Sequence, residues 1–217
     1  LNLLDLVIGT PMPILMALLL NELAFPKFKR VAQTVLYLPH FLSWVIISSL
    51  SLRLLATNDG LVNQIFGTNI AFLGTENNWR VTYIVLGIWK ECGWNTIIYL
   101  AALTGISPEL YEAAAIDGAG IWQRIIHIMI PAIKKLAGTL LILQIISVFQ
   151  IMYEPMVLTK GGPDNASLSL MQLMWQYAFG GSMNYGKASA VAVIVTLILL
   201  VMTAIYSYFD RKESDWD

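Results

Sequence analysis

Two groups of side chains in this chain have types and spacings that can do chemistry. The first is the run Leu110-Tyr-Glu-Ala-Ala-Ala-Ile-Asp-Gly-Ala-Gly-Ile-Trp-Gln-Arg-Ile-Ile-His-Ile-Met-Ile-Pro131. Its carboxylates, Glu112 and Asp117, could be mistaken for an acid–base pair. They lie in a loop rich in alanine and glycine with no evident pocket, so pairing with basic groups on another surface is the better reading. The second group lies on apolar stretches. Lys90 and Glu91 are adjacent; Glu91, Asn95 and Tyr99 are spaced by four; Gln150 and Glu154 are spaced by four with Tyr153 beside them. Together with Trp94 they offer hydrogen-bonding groups and flat aromatic faces, which suit the hydroxyls and C–H surfaces of a sugar. The same residue types also form polar networks that fix helix packing. Lys90 can counter an anionic sugar, although pairing with a carboxylate is its commoner use.

The elements that must position these groups belong to a membrane. Apolar residues make up 57% of the chain and charged residues 12%, about half the share of a soluble domain. Net charge is −1, with no basic block for nucleic acid. Cys92 is the only cysteine, which excludes an internal disulfide and a cysteine-based metal cluster. His40 and His127 have no metal-ligand spacing. A phosphate-binding Gly-x-x-x-x-Gly-Lys-Ser/Thr loop is absent from the sequence, so no nucleotide chemistry is expected on this chain.

A spanning helix needs roughly 20 mostly apolar residues. Five stretches qualify as expectations: Leu3–Leu23, Val31–Leu55, Val81–Ile106, Leu136–Leu158 and Ala188–Tyr208. Pro11 and Pro13 predict a kink in the first, and Glu154-Pro155 predicts a local break near the end of the fourth. Lys27, Lys29, Arg30, Arg124, Lys134, Lys135, Arg211 and Lys212 fall on one side of the alternating spans. Arg53, Arg80, Lys160 and Lys187 fall on the other or at its edge. The excess assigns the first side to the cytoplasm. On the outer side Asn58-Asp59-Gly60 reads as a turn and Leu61–Phe66 as a short interfacial helix. Trp79 is expected at headgroup level. Lys160–Asn165 reads as a breaker cluster, and Leu168–Phe179 as an amphipathic stretch on the membrane surface or over the bundle.

Between the third and fourth spans, Ser107-Pro108-Glu109 is a helix start: a capping hydroxyl, a proline at the first position and an acid at the positive end. A helix from Pro108 to Asp117 is expected, with Leu110, Ala113 and Ala114 on one face. Gly118-Ala119-Gly120 breaks it. A second helix, Ile121–Ile130, carries Trp122, Ile125, Ile126 and Met129 as an apolar stripe, and Pro131 opens the next helix. The result is a helical hairpin on the cytoplasmic side.

The run Leu110–Pro131 resembles the EAA loop of ABC-transporter permease subunits, at Glu112-Ala113-Ala114, Gly118, Ile128 and Pro131. Ile97–Leu103 followed by Ile106-Ser107-Pro108 resembles the lead into that loop in carbohydrate permeases. Leu158-Thr159-Lys160-Gly161-Gly162-Pro163 resembles their outer Thr-x-Gly-Gly-Pro signature, and Tyr37-Leu38-Pro39 matches another of their positions. The chain therefore resembles a binding-protein-dependent sugar permease of the maltose-permease type, in the polysaccharide or alginate-oligosaccharide branch. Departures are mild: the family usually has Phe or Leu at Ile125 or Ile126, and Leu at Ile130.

The resemblance implies an all-α, polytopic helix bundle of the type I ABC importer kind over residues 1–217, with residues 107–131 as a coupling loop. Such permeases usually have six or more spans, so at least one helix is expected before Leu1. Glu112, Ala113, Ala114, Asp117, Gly118, Ile128 and Pro131 would serve ATPase coupling. Glu91, Trp94, Asn95, Tyr99, Gln150, Tyr153 and Glu154 are the candidates for the substrate path. The implied partners are a second homologous permease, two cytoplasmic ATPase subunits carrying ATP and Mg, and an extracellular solute-binding protein that delivers an oligosaccharide. No cofactor is expected on this chain, and the implied location is the bacterial cytoplasmic (inner) membrane. The rival readings are an ion-coupled transporter or channel using Lys90 and Glu91, and a membrane scaffold that transports nothing.

Overall fold

The computed structural model describes residues 2–23, 25–160, 162–165, 167–181 and 183–214, and every regular element among them is helical. Helix α1 (Asn2–Gly9) and α2 (Pro11–Glu22) form one apolar stretch interrupted at Thr10. The prolines behind the predicted kink interrupt the hydrogen-bond ladder there, since Pro11 and Pro13 supply no N–H to the preceding turn, but Thr10 keeps helical dihedrals (φ −72°, ψ −46°) and the stretch runs on as one. Next come α3 (Pro26–Tyr37), a 3-10 turn (Leu38–Phe41), α4 (Trp44–Leu54) and the short α5 (Leu61–Phe66). Helix α6 (Glu76–Thr104) has 29 residues, about 43 Å at 1.5 Å each. The chain continues as α7 (Pro108–Ile116), α8 (Ile121–Arg124), a π turn (Ile125–Met129), α9 (Ile130–Gln150), α10 (Tyr153–Thr159), α11 (Leu170–Phe179) and α12 (Tyr185–Ser214).

Three described helical stretches are long and apolar enough to cross a membrane: Leu4–Glu22, Ile121–Gln150 and Tyr185–Ser207. A bent pair, Pro26–Phe41 with Trp44–Leu54, makes a fourth if counted as one span. The second expected span is therefore not one continuous helix. Pro39 lies inside it, and the chain leaves helical geometry at Leu42. The third expected span lies within α6, which is long enough but, carrying Lys90 and Glu91 midway, is not among these stretches. The fourth begins at Ile121, not near Leu136, and ends at Gln150. Its outer break comes at Ile151–Met152, before Glu154-Pro155. Pro155 is then the third residue of α10, in a first turn whose N–H groups need no intrahelical partner.

The chain resolves into two compact units. The first comprises Leu1–Ser43 and Tyr83–Leu141. Its core joins α2, α6, the π turn and the start of α9 through Ala17, Leu18, Tyr99, Leu103, Ile125, Met129 and Ile133. Lipid is as apolar as these side chains, so close approach and dispersion hold such helices together more than the expulsion of water does. The small Ala17 is wholly buried, and the buried Thr96 hydroxyl reaches the Cys92 carbonyl at 2.7 Å and that of Pro13 at 3.4 Å.

The second unit comprises Trp44–Thr82 and Ile142–Asp217. Within it α4 packs on α10, and α11 packs on α12, so the Leu168–Phe179 stretch covers a neighbouring helix. Trp79, expected at headgroup level, is fully buried within the protein. Asn63 organises the segment around α5: its Nδ2 donates to the carbonyls of Ala56, Thr57 and Ile70, and its Oδ1 accepts from Thr68 Oγ1 and the Ile70 N–H. In the breaker cluster Lys160 and Gly162 have φ of 53° and 68°, and Thr159 Oγ1 lies 3.2 Å from Ser167 Oγ. Gly161 of the Thr-x-Gly-Gly-Pro signature lies outside the described residues.

Candidate functional site

The hairpin is built from local capping chemistry. Ser107 Oγ accepts from the Glu109 N–H at 3.3 Å, and Pro108 occupies the first position of α7. The helix ends at Ile116, one residue before the expected end, with Asp117 as its C-cap. Gly118 follows at φ 74°. Its N–H donates to the Ala115 carbonyl at 3.1 Å, and the Ala119 N–H donates to that of Ala114 at 2.8 Å. This pair of bonds is a Schellman termination, whose left-handed residue favours glycine. The Gly120 N–H then donates to Gln123 Oε1 at 2.7 Å, fixing the start of α8.

Helix α7 has no buried residue. Glu112, Ala113, Asp117 and Gly118 are exposed, and Ala114 is half-buried. Leu110 and Ala113, expected on one face with Ala114, are exposed; Tyr111 turns inward and packs against the core of the first unit. Burial raises the Tyr111 phenol above its ordinary value; Asn21 opposes the rise, the Glu22 charge adds to it and Arg124 opposes it.

The second arm differs from expectation. It is not a separate helix, because Ile121–Gln150 runs as one helical stretch. The π turn makes this possible: the Ile130 N–H reaches back to Ile125, and the widened turn accommodates Pro131, which would crowd an α-helical turn. Of the expected apolar stripe, Ile125 and Met129 are buried while Trp122 and Ile126 are 74% and 54% exposed. Ile128 is half-buried and Pro131 exposed.

On α6 the structure gathers an unforeseen cluster. Lys90 is buried, and its Nζ donates to the His40 carbonyl at 2.8 Å and lies 3.2 Å from Glu91 Oε1. His40 Nδ1 lies 2.8 Å from Glu91 Oε2, and the imidazole stacks on Trp94 with ring centroids 4.5 Å apart. Lys90 and Glu91 start about 100° apart on the helix. The long lysine stem nevertheless brings its ammonium to its neighbour's carboxylate, so the two meet despite diverging from the backbone. The cluster ties α6 to the 3-10 turn, whose His40 carbonyl accepts from Lys90. Sequence reasoning missed His40, because its partners lie 50 and 51 positions away and leave no local signal.

The candidate substrate-path residues separate. Glu91 and Trp94 are partly exposed and belong to this cluster, and Asn95 is half-buried beside them in sequence. Tyr99 is only 2% exposed and lies in the hydrophobic core, so it does not continue their stripe. Each step of four residues turns about 40°, and two steps carry Tyr99 about 80° away from Glu91. Gln150, Tyr153 and Glu154 belong to the other compact unit. Their expected shared face is lost, because the break at Ile151–Met152 separates Gln150 from α10. Tyr153 is 51% exposed and Glu154 half-buried.

Known proteins are similar over nearly this whole chain. The polygalacturonan/rhamnogalacturonan transport system permease protein YteP of Bacillus subtilis is 42% identical over 208 residues, covering 93% of this chain and 64% of that protein. The lactose transport system permease protein LacF of Rhizobium radiobacter is 31% identical over 95% of this chain and 72% of its own length. This chain thus spans about two thirds of the length of these relatives. Among solved structures, a bacterial ABC transporter involved in the import of the acidic polysaccharide alginate superposes with a TM-score of 0.92 and 31% identity. That match covers 97% of this chain and 75% of the other. The family pattern described as binding-protein-dependent transport system inner membrane component matches residues 9–215. The chain is thus a multi-pass membrane protein that belongs to the family of binding-protein-dependent transport system inner membrane components.

Proposed function

We propose that the chain is the permease subunit of an ATP-driven importer in a bacterial cytoplasmic membrane. It pairs with a second, similar permease, and two cytoplasmic ATPase subunits holding ATP and Mg dock on the α7–α8 hairpin. The observation that carries this reading is α7 itself: a short, fully capped helix with no buried residue, presenting Glu112, Ala113 and Asp117 outward. Small side chains permit close approach by a partner, and the carboxylates can pair with basic groups. Closure of the ATPases on ATP would move the hairpin and bias the helices between inward-open and outward-open. A ligand shifts such an equilibrium only through its different affinity for the two states.

The cargo is an oligosaccharide delivered by an extracellular binding protein. In support, similar permeases are named for polygalacturonan/rhamnogalacturonan, arabinooligosaccharides and lactose. A 32% identical alginate transporter has been seen with a periplasmic protein bound to an alginate pentasaccharide. Affinity purification of the full-length chain in mild detergent tests the assembly. Recovery of an ATPase and its loss with Glu112→Lys is expected. Isolation of the chain alone under several gentle conditions would overturn it.

A further inference from the structure

Glu22 is the last residue of α2 and Arg124 the last of α8. Although 102 positions apart, they form an ion pair, with Arg124 Nη2 donating to Glu22 Oε2 at 2.9 Å. The side chains are only 27% and 16% exposed, Arg124 first. We propose that this pair is a transmission contact. It makes the hairpin and the near end of the first span move as one body, so a displacement of the hairpin reaches α2 without slippage. The proposal rests on the permease reading above, and Glu22 and Arg124 are positioning residues within it.

Three observations carry it. First, the hairpin has few attachments. Helix α7 has no buried residue, so a load on it passes to the bundle through Tyr111 and through the start of the second arm. Second, Arg124–Glu22 is the one ion pair the hairpin makes among the described residues. Glu109, Glu112 and Asp117 stand exposed. Third, the pair ends a continuous seam. Leu18, one turn before Glu22, shares the core cluster with Ile125 and Met129, and Asn21 Nδ2 lies 3.9 Å from Met129 Sδ.

A seam of apolar side chains resists separation but slides easily, since each register buries similar atoms. A charge-assisted hydrogen bond has a direction and a short range. Partial burial strengthens it, because less water screens the charges. Arg124 Nε is also buried without a hydrogen-bond partner among the described residues, so losing Glu22 would leave the guanidinium poorly compensated. These properties fix register, the best-attested use of a buried ion pair.

The test replaces the ion pair with a covalent one. Glu22→Cys and Arg124→Cys are combined in a Cys92→Ser background, and the full-length chain is reconstituted with its partner permease and ATPases. ATP hydrolysis is read before and after treatment with a short, reducible bis-thiosulfonate linker. Without the linker, hydrolysis is expected to depart from the wild-type rate on the order of tenfold in either direction, a typical size for coupling between sites. With it, the rate returns to within about twofold of wild type, the scale of a small residual coupling. A variant that matches wild type without the linker overturns the proposal, as does a linker that stops hydrolysis or fails to restore it. Glu22→Gln, which keeps the volume and an acceptor, guards against misfolding of the double variant. It should shift the same rate, and an unchanged rate overturns the proposal. Failure of the wild-type chain to hold any ATPase would instead sink the permease reading and this contact with it.

Discussion

Gly93 lies directly against the backbone of Leu36: a β-carbon at Gly93 would sit 1.9 Å from the Leu36 carbonyl oxygen. Helix α3 can rest on α6 only because that position has no side chain. Backbone cannot swing aside as a long side chain can, so Gly93→Ala should cost about 1–3 kcal/mol or more. At Gly87, on the same helix, an added β-carbon would meet nothing within 4 Å. Gly87→Ala should instead stabilise by up to about 1 kcal/mol through helix propensity. Apparent melting midpoints of the purified chain in detergent should therefore move in opposite directions.

Gly118 tests the turn. Its φ of 74° is left-handed, which costs a residue with a β-carbon roughly 1–2 kcal/mol. Gly118→Val should lower ATP-dependent uptake while the purified bundle keeps its helical circular dichroism. Normal uptake by this variant would argue against a rigid docking role for the hairpin.

The α6 cluster predicts strong coupling between neighbours. Glu91→Leu would leave the Lys90 ammonium with the His40 carbonyl but without its carboxylate. An uncompensated charge within a bilayer costs roughly 2.5–3.5 kcal/mol. Lys90→Met combined with Glu91→Leu should recover much of that loss, so the two substitutions should be far from additive. A double-mutant cycle on detergent unfolding measures this. Additive losses would mean that the pair contributes nothing beyond its separate members.

Asn63 holds three carbonyls with its amide. Asn63→Asp keeps the shape but places an acceptor against acceptors. Amide hydrogen exchange across residues 56–70 should quicken by about tenfold or more, as expected for losing hydrogen bonds worth about 1 kcal/mol each. Exchange in α12 should not change. Unaltered protection near α5 would show that the segment is ordered by other contacts.

What can be read from the sequence follows the range of the interactions involved. Ser107, Pro108 and Gly118 act within a turn, and the structure places the hairpin's start and bend where their chemistry predicts. Leu61–Phe66 and the helix beginning near Ala188 are equally legible, one from its flanking glycines and the other from its apolar length. The break in the second span is not. Pro39 hints at it, but the groups that hold it, Lys90 and Glu91, come from a distant helix. Tyr99 escapes the pattern for a different reason: a spacing of four holds a face for one step and drifts over two. Trp79 suits an interface by residue type, and its burial depends on how the second unit closes around it.

The tip of the hairpin bears on biogenesis if it docks as proposed. Ile116 is 86% exposed and Trp122 74%, on the side that the basic residues assign to the cytoplasm. Large apolar side chains held out in water can mark an unmet contact. On the docking role proposed above, assembly with the ATPases would hide this surface, and a copy without its partner would display it to proteases and chaperones. Cells would then gain from producing the partners in matched amounts.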